Sequence, residues 1–230
     1  MSQRKATSAA PADPAKRART VIWILLGVIL AAGAIWYAVF TLNKPAPVAV
    51  QPVADAQLVR EDSHRVTAPA TEKAQLVEFL DFECEACKAA EPVVAELKAE
   101  FGDRITVVHR YFPLPAHRNS GQAALAVEAA AQQGKYEQMA AKMFETQPQW
   151  GEKQDSQAPL FRTFAEELGL DLTAYDAAVA NEATKDRIRQ DIADGKALGV
   201  TGTPTFFLNG EKLTPNTMEE FRQKLADAAQ

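Results

Sequence analysis

Residues 76–88, LVEFLDFECEACK, constrain the fold more than any other part of the chain. Val77, Phe79 and Phe82 favour a pleated strand, whereas Ala86, Ala89, Ala90, Val93, Val94 and Leu97 recur at helical spacing. The pattern predicts a strand that runs straight into a helix, with Cys84 and Cys87 at the junction. Cys84 then sits at or just before the first helical turn. Unpaired backbone N–H groups and the positive end of the helix dipole favour a thiolate there. Cys87, three residues on, falls on the same side of the helix and within disulfide reach. An open attacking sulfur with a shielded resolving partner is what thiol–disulfide exchange requires.

These are the only two cysteines, so no other disulfide can form within the chain. A Cys-x-x-Cys pair also serves zinc and haem. Zinc needs further ligands, but there is no second pair and His64, His109 and His117 are scattered, so no metal site is expected. Haem attachment needs a His directly after the second cysteine, where Lys88 stands. An inert disulfide closing so small a loop removes little chain entropy. A redox role is therefore the better reading of the pair.

Residues 21–42, VIWILLGVILAAGAIWYAVFTL, carry no charged side chain and are long enough to cross a bilayer as a helix. Arg4, Lys5, Lys16, Arg17 and Arg19 precede them against the single acid Asp13, which keeps residues 1–20 in the cytoplasm as a tail. The apolar run exceeds the core of a cleaved signal peptide, so an uncleaved single-pass anchor is expected. Residues 43–56 form a Pro/Ala linker. The domain that follows, 57–230, lies on the extracytoplasmic side of the cytoplasmic membrane. The net charge of −5, without a basic stripe after the tail, argues against nucleic-acid binding.

Within that domain the expected elements are a weak strand near 58–67, a strand over 75–82, a helix over 85–101 and a strand over 105–111. The last three make a βαβ unit with parallel strands. Alanine-rich helical segments fill 119–199, broken at Pro148, Gly151 and Gly169. A hairpin about Asn209-Gly210 and a helix over 216–229 close the chain. His64 falls among charged residues and is expected in solvent, His109 within a strand, and His117 in a surface loop. Phe161, Phe164 and Tyr175 have the spacing of packing residues.

A second stretch, GVTGTPTFFLNG at 199–210, places Pro204 at a strand start. Together with LVEFLDFECEACK it resembles the active-site strand–helix and cis-proline loop of DsbA-like thioredoxin-fold thiol–disulfide oxidoreductases. The likeness covers about residues 58–230. It implies an α/β thioredoxin fold with a helical insertion between the βαβ and ββα halves. It places the cis-proline at Pro204 and, with Thr203 before it, a groove wall for an extended peptide. It also puts Glu78 where thioredoxin-like proteins bury an acid beneath the second cysteine. A carboxyl group there has a raised pKa and can exchange a proton with Cys87.

The resemblance implies Cys84 as nucleophile, Cys87 as resolving thiol and no cofactor beyond their disulfide. No dinucleotide fingerprint is present. Strong oxidants of the family carry Pro-His between the cysteines. Here Glu85 and Ala86 tune the pair, and the carboxylates of Glu78, Glu83 and Glu85 are expected to raise the pKa of Cys84. The expected function is an oxidase of exported protein or peptide thiols, re-oxidised by a quinone-linked membrane partner. A reductase or isomerase supplied with electrons across the membrane is the alternative, and a non-catalytic binding module on the same fold is the third reading.

Overall fold

The computed structural model describes residues 56–230, together with the isolated positions 23, 27 and 33. The expected tail, membrane span and linker lie outside the described residues, apart from those positions and residue 56. Two compact units, Met1–Ala49 and Val50–Gln230, divide the chain; the second holds Cys84 and Cys87. Among the described residues no helix is long and apolar enough to cross a membrane.

Strands β1 (His64–Arg65), β2 (Ala74–Leu80), β3 (Ile105–Tyr111), β4 (Thr205–Leu208) and β5 (Glu211–Lys212) form one sheet in the order β1-β3-β2-β4-β5. β2 and β3 run parallel and the other pairs antiparallel. Helix α1 (Glu85–Phe101) crosses from β2 to β3, and α7 (Met218–Ala228) follows the β4–β5 hairpin. Between β3 and β4 lie α2 (Ser120–Ala131), α3 (Tyr136–Trp150), α4 (Ala158–Glu167), α5 (Leu172–Ala180) and α6 (Glu182–Ala197), with no strand among them. A βαβ half, a helical block and a ββα half are the α/β thioredoxin arrangement that the resemblance implies.

Strand β2 is buried on both faces, so its side chains are sorted by the two-residue period alone. Leu76 packs with Ala90, Val94, Leu97 and Phe101 of α1 and with Phe221 and Leu225 of α7. Val77 and Phe79 point the other way, to Val108, Phe112, Val200 and Phe207. Burying residues such as Leu97 and Phe101 contributes roughly 1.5–3 kcal/mol each. The helical block has its own apolar core, which contains Phe161, Phe164 and Tyr175 as packing residues and reaches Cys84 and Cys87. The dithiol therefore lies where sheet, α1 and helical block meet.

Two elements depart most from the sequence expectation. The first strand shrinks to two residues. Arg60 and Ser63 close a turn (2.8 and 3.2 Å), and the Arg60 guanidinium is drawn to Asp194 at 2.6 Å, which takes the backbone out of the ladder. Helix α3 continues through Pro148 to Trp150 instead of ending before it. Trp150 is fully buried, edge-on to Phe161 at 4.9 Å, and this tertiary anchor outweighs the missing proline N–H. His64 is likewise not in solvent. Its ring stacks on Tyr136 at 4.0 Å and lies 2.7 Å from Glu128.

Candidate active site

After β2 the chain turns through residues 81–83, and Cys84 becomes the N-cap of α1 in an extended conformation (φ −73°, ψ 121°). No side-chain oxygen caps the helix. The N–H groups of Cys87 and Ala86 instead hydrogen-bond the Cys84 sulfur, which fills the role of a capping oxygen. Both cysteines are free thiols. Cys87 is sealed at 1% exposure, and Cys84 is more covered than an open attacking sulfur suggests, at 7%. Across the junction the Thr203–Pro204 peptide is cis, and the Cys84 thiol donates to the Thr203 carbonyl at 3.3 Å. The two sequence stretches, over a hundred residues apart, thus meet at one sulfur.

The expectation that acids raise the Cys84 pKa is reversed. It falls to about 5. The Cys87 thiol hydrogen bond is the main cause; burial opposes it, and the Thr203 hydroxyl and the N–H groups of Cys87 and Ala86 add to the lowering. That hydroxyl is buried and otherwise unpartnered, so it is available to the sulfur. The acids fail to oppose the thiolate because of where they point. Glu83 is buried, and its two oxygens accept the N–H groups of Asn119 (2.6 Å) and Glu152 (2.9 Å). Glu85 stands exposed in the first turn of α1, where water screens it and the helix dipole welcomes it. Ala86, the other residue between the cysteines, is also exposed and adds its N–H. Burial, with the Cys84 hydrogen bond next, pushes the Cys87 thiol far above the ordinary range, so Cys87 holds its proton.

Glu78 lies on the α1 side of β2, 4% exposed. Burial foremost, then the charges of Glu91 and Cys84, push its pKa up to about 8. Its charge in turn acts on Cys87. The position expected from sequence is therefore a neutral carboxyl group near pH 7 within electrostatic reach of the resolving thiol. Its cross-strand partner on β3 is His109.

Three residues of the site were not singled out from sequence, and a fourth, His117, was expected in a surface loop. The Asp81 carboxylate, 1% exposed, accepts the N–H groups of Glu83 (2.8 Å) and Leu114 (2.9 Å) and meets His117 Nδ1 at 2.6 Å. His117 is thus a half-buried site residue, not a free surface histidine. Burial disfavours its charged form, but the hydrogen bond and charge of Asp81, with Cys84 and Glu83, hold its pKa above the ordinary value. From α3, Gln147 Nε2 reaches the carbonyls of Phe82 (2.8 Å) and Cys84 (3.0 Å). The third is Asn119, whose amide N–H meets Glu83 and whose side chain binds the Lys153 carbonyl (2.9 Å) and the Gln157 N–H (2.9 Å). Its place just before the Cys-x-x-Cys pair is the one signal that could have found Asp81; Gln147 and Asn119 carry none.

A cysteine pair opening a helix at the end of a central strand, beside a cis-proline loop, defines a thioredoxin-fold dithiol protein. A family model described as thioredoxin matches residues 66–227. The chain belongs to the thioredoxin family, and its fold is that of the DsbA-like members. It superimposes on a thioredoxin-like oxidoreductase from Silicibacter pomeroyi DSS-3 with a TM-score of 0.64 at 24% identity, covering 76% of this chain and 96% of that one. For alpha-DsbA1 from Wolbachia pipientis the TM-score is 0.64 at 18% identity, covering 74% and 92%. Among curated relatives, the Na(+)/H(+) antiporter NhaA 1 of Mycobacterium sp. strain KMS is 32% identical over 209 residues. That match takes in 87% of this chain, which spans about a third (32%) of the antiporter's length.

Proposed function

We propose that the protein is a membrane-anchored thiol–disulfide oxidase acting on exported protein thiols through Cys84 and Cys87. The observation that carries this reading is the state of the dithiol. Cys84 is held as a thiolate by the Cys87 thiol, the N–H groups at the start of α1 and the Thr203 hydroxyl, while Cys87 beneath it stays protonated. A stabilised thiolate favours the reduced form of the pair, and so makes its disulfide a stronger oxidant. That favours the oxidase over the reductase or isomerase, whose support was the expected effect of the acids. The cycle needs no bound cofactor.

In the oxidised protein a substrate thiolate attacks the Cys84 sulfur. The Cys84–Cys87 bond breaks, Cys87 leaves with the bonding pair, and the Glu78 carboxyl group supplies its proton. A second substrate thiolate then attacks the substrate sulfur of the mixed disulfide, and Cys84 departs as the stabilised thiolate. The substrate gains a disulfide and the protein two electrons, which a disulfide of a quinone-linked membrane partner accepts. The Thr203 carbonyl, freed when Cys84 is oxidised, receives the backbone of an extended substrate beside Pro204. From the antiporter relatives only the shared segment is carried over, and no ion transport is proposed.

Oxidative refolding of a reduced model protein by the full-length chain tests this reading. Cys84→Ser should abolish turnover, and Cys87→Ser should accumulate a mixed disulfide through Cys84. Full activity of Cys84→Ser would leave only a binding module on the same fold.

A further inference from the structure

The loop after β3 carries a cation that the exchange chemistry leaves unused. Arg118 stands between His117, which binds Asp81, and Asn119, whose N–H binds Glu83, the residue before Cys84. Its backbone is held fast. The His117 N–H donates to the Leu114 carbonyl at 3.0 Å, and Ser120 Oγ reaches the carbonyls of Leu114 (3.2 Å) and His117 (3.0 Å). The Arg118 side chain is exposed and has no hydrogen bond or ion pair among the described residues. A fixed turn that displays an unpaired guanidinium is preorganised for a carboxylate, which Arg can hold with two parallel hydrogen bonds.

Arg118 stands at the rim of a cleft of about 320 Å³ between this loop, α2 and α6. Its floor is apolar: Ile188 belongs to the core of the helical block, and Leu125 and Ile192 pack against that core. Lys185 and Arg189 complete the rim. Among the described residues no carboxylate lines the cleft, although the chain carries a net charge of −5. Lys185 and Arg189 are already engaged along α6, both with Glu182 (2.7 and 3.1 Å) and Arg189 also with Asp186. Arg118 is thus the rim cation left open to a ligand. None of the lining residues belongs to α1, to a strand or to the Thr203–Pro204 loop, so the cleft is separate from the wall beside Pro204.

We propose that this cleft is a second substrate site, which takes a bulky apolar side chain beside an acidic one from the exported polypeptide bonded to Cys84. The proposal rests on the exchange function above and adds a substrate class to it. The apolar side chain fills the space over Leu125, Ile188 and Ile192, and the carboxylate meets Arg118. A polypeptide suits the cleft better than a lipid headgroup. An anionic membrane surface is held by clusters of open cations, and two of the three here are spent within α6. The cleft also begins at the turn that frames Cys84. A chain already bonded to that sulfur reaches it intramolecularly, so a weak contact suffices to select among thiols. Arg118 touches no reacting sulfur, and its effect is on which substrate is taken.

The test is oxidation of cysteine peptides by the full-length protein, each peptide carrying a Leu-Asp, Leu-Lys or Ala-Asp pair at stepped distances from its cysteine. Leu-Asp should be favoured in kcat/KM by on the order of tenfold at its best spacing, and added salt should shrink the preference. Arg118→Glu should pass the preference to Leu-Lys while leaving the rate with a small dithiol unchanged. Gly121→Leu should narrow the cleft and weaken the preference for leucine. A Cβ at Gly121 meets nothing within 4 Å, and leucine is the better helix former, so the fold is not at risk. Equal rates for the three sets, or an Arg118→Glu that keeps the Leu-Asp preference, would overturn the proposal. Binding of the same peptides with serine for cysteine, followed by fluorescence anisotropy, reads the cleft without the exchange chemistry and should give the same order. That order without any peptide oxidation would defeat the proposed function and leave the cleft standing. Binding of phosphatidylglycerol vesicles that Arg118→Glu abolishes, with no preference among the peptides, would overturn the proposal in favour of a membrane surface.

Discussion

The sulfur of Cys84 has more hydrogen-bond donors around it than a thiol can use: the Cys87 thiol, the Thr203 hydroxyl and the N–H groups of Cys87 and Ala86. Only an anion satisfies them all. Its alkylation rate should therefore titrate with a midpoint of about 5 and stay level from there through neutral pH. An ordinary thiol of pKa about 8.5 is only a few per cent thiolate at pH 7. His117→Ala removes a positive charge near that sulfur, so its midpoint should rise. Glu78 gives a stability signature of the opposite sign. Its folded pKa is raised to about 8, so its contribution is fully present below the ordinary carboxylate range and is lost as pH rises through 8. Denaturant titrations of Glu78→Gln should lack that loss, and at pH 9 the variant should be more stable than the wild type by on the order of a few kcal/mol. At this scale residue identity made Cys84, Cys87 and Glu78 legible. The sign of the Cys84 shift was not, because a sequence lists acids without saying where they point. Glu83 lies next to Cys84 in the chain and yet spends both oxygens on Asn119 and Glu152.

Elements make the site by meeting at fixed distances, and two contacts measure how tightly. Gln147 ties α3 to the turn before α1 through the carbonyls of Phe82 and Cys84. Gln147→Ala leaves both buried acceptors unmet and should cost about 1–3 kcal/mol in denaturant unfolding. Gly195 lets α6 approach the sheet so closely that an added Cβ would stand 2.7 Å from Phe112 Cδ2 and 3.0 Å from Phe79 Cε1. Both rings are held in an apolar cluster, so Gly195→Ala should destabilise the fold by about 1–3 kcal/mol through overpacking. Periodicity read α1 and β3 from the chain because their local preference and their burial agree. It failed at Pro148, where Gln147 and Trp150 bind distant partners and carry the helix onward. It failed again before His64, where an Arg60–Asp194 pair overrides a strand-like pattern.

For the whole domain, β3 and α6 are locked by a buried set of charges. Arg110, fully buried, holds Asp191 (2.7 Å) and Asp194 (2.6 Å) and donates to the carbonyls of Gln57 and Leu58. Arg110→Met takes one of two cationic partners from each carboxylate, Arg187 staying with Asp191 and Arg60 with Asp194, and should cost on the order of 3 kcal/mol in denaturant unfolding. None of this network was legible, because Arg110 lies about eighty residues from its carboxylates and about fifty from its carbonyl acceptors, with no common period. What the chain did disclose is that its two chemical stretches belong together, and the fold brings them to a single sulfur. Whether this meeting makes the pair an oxidant is decided by the equilibrium reduction potential of Cys84–Cys87 in the full-length protein against glutathione. A thiolate so stabilised at Cys84 should place it at the oxidising end of the known range, towards about −120 mV. A value near about −270 mV would contradict that and make the protein a reductant.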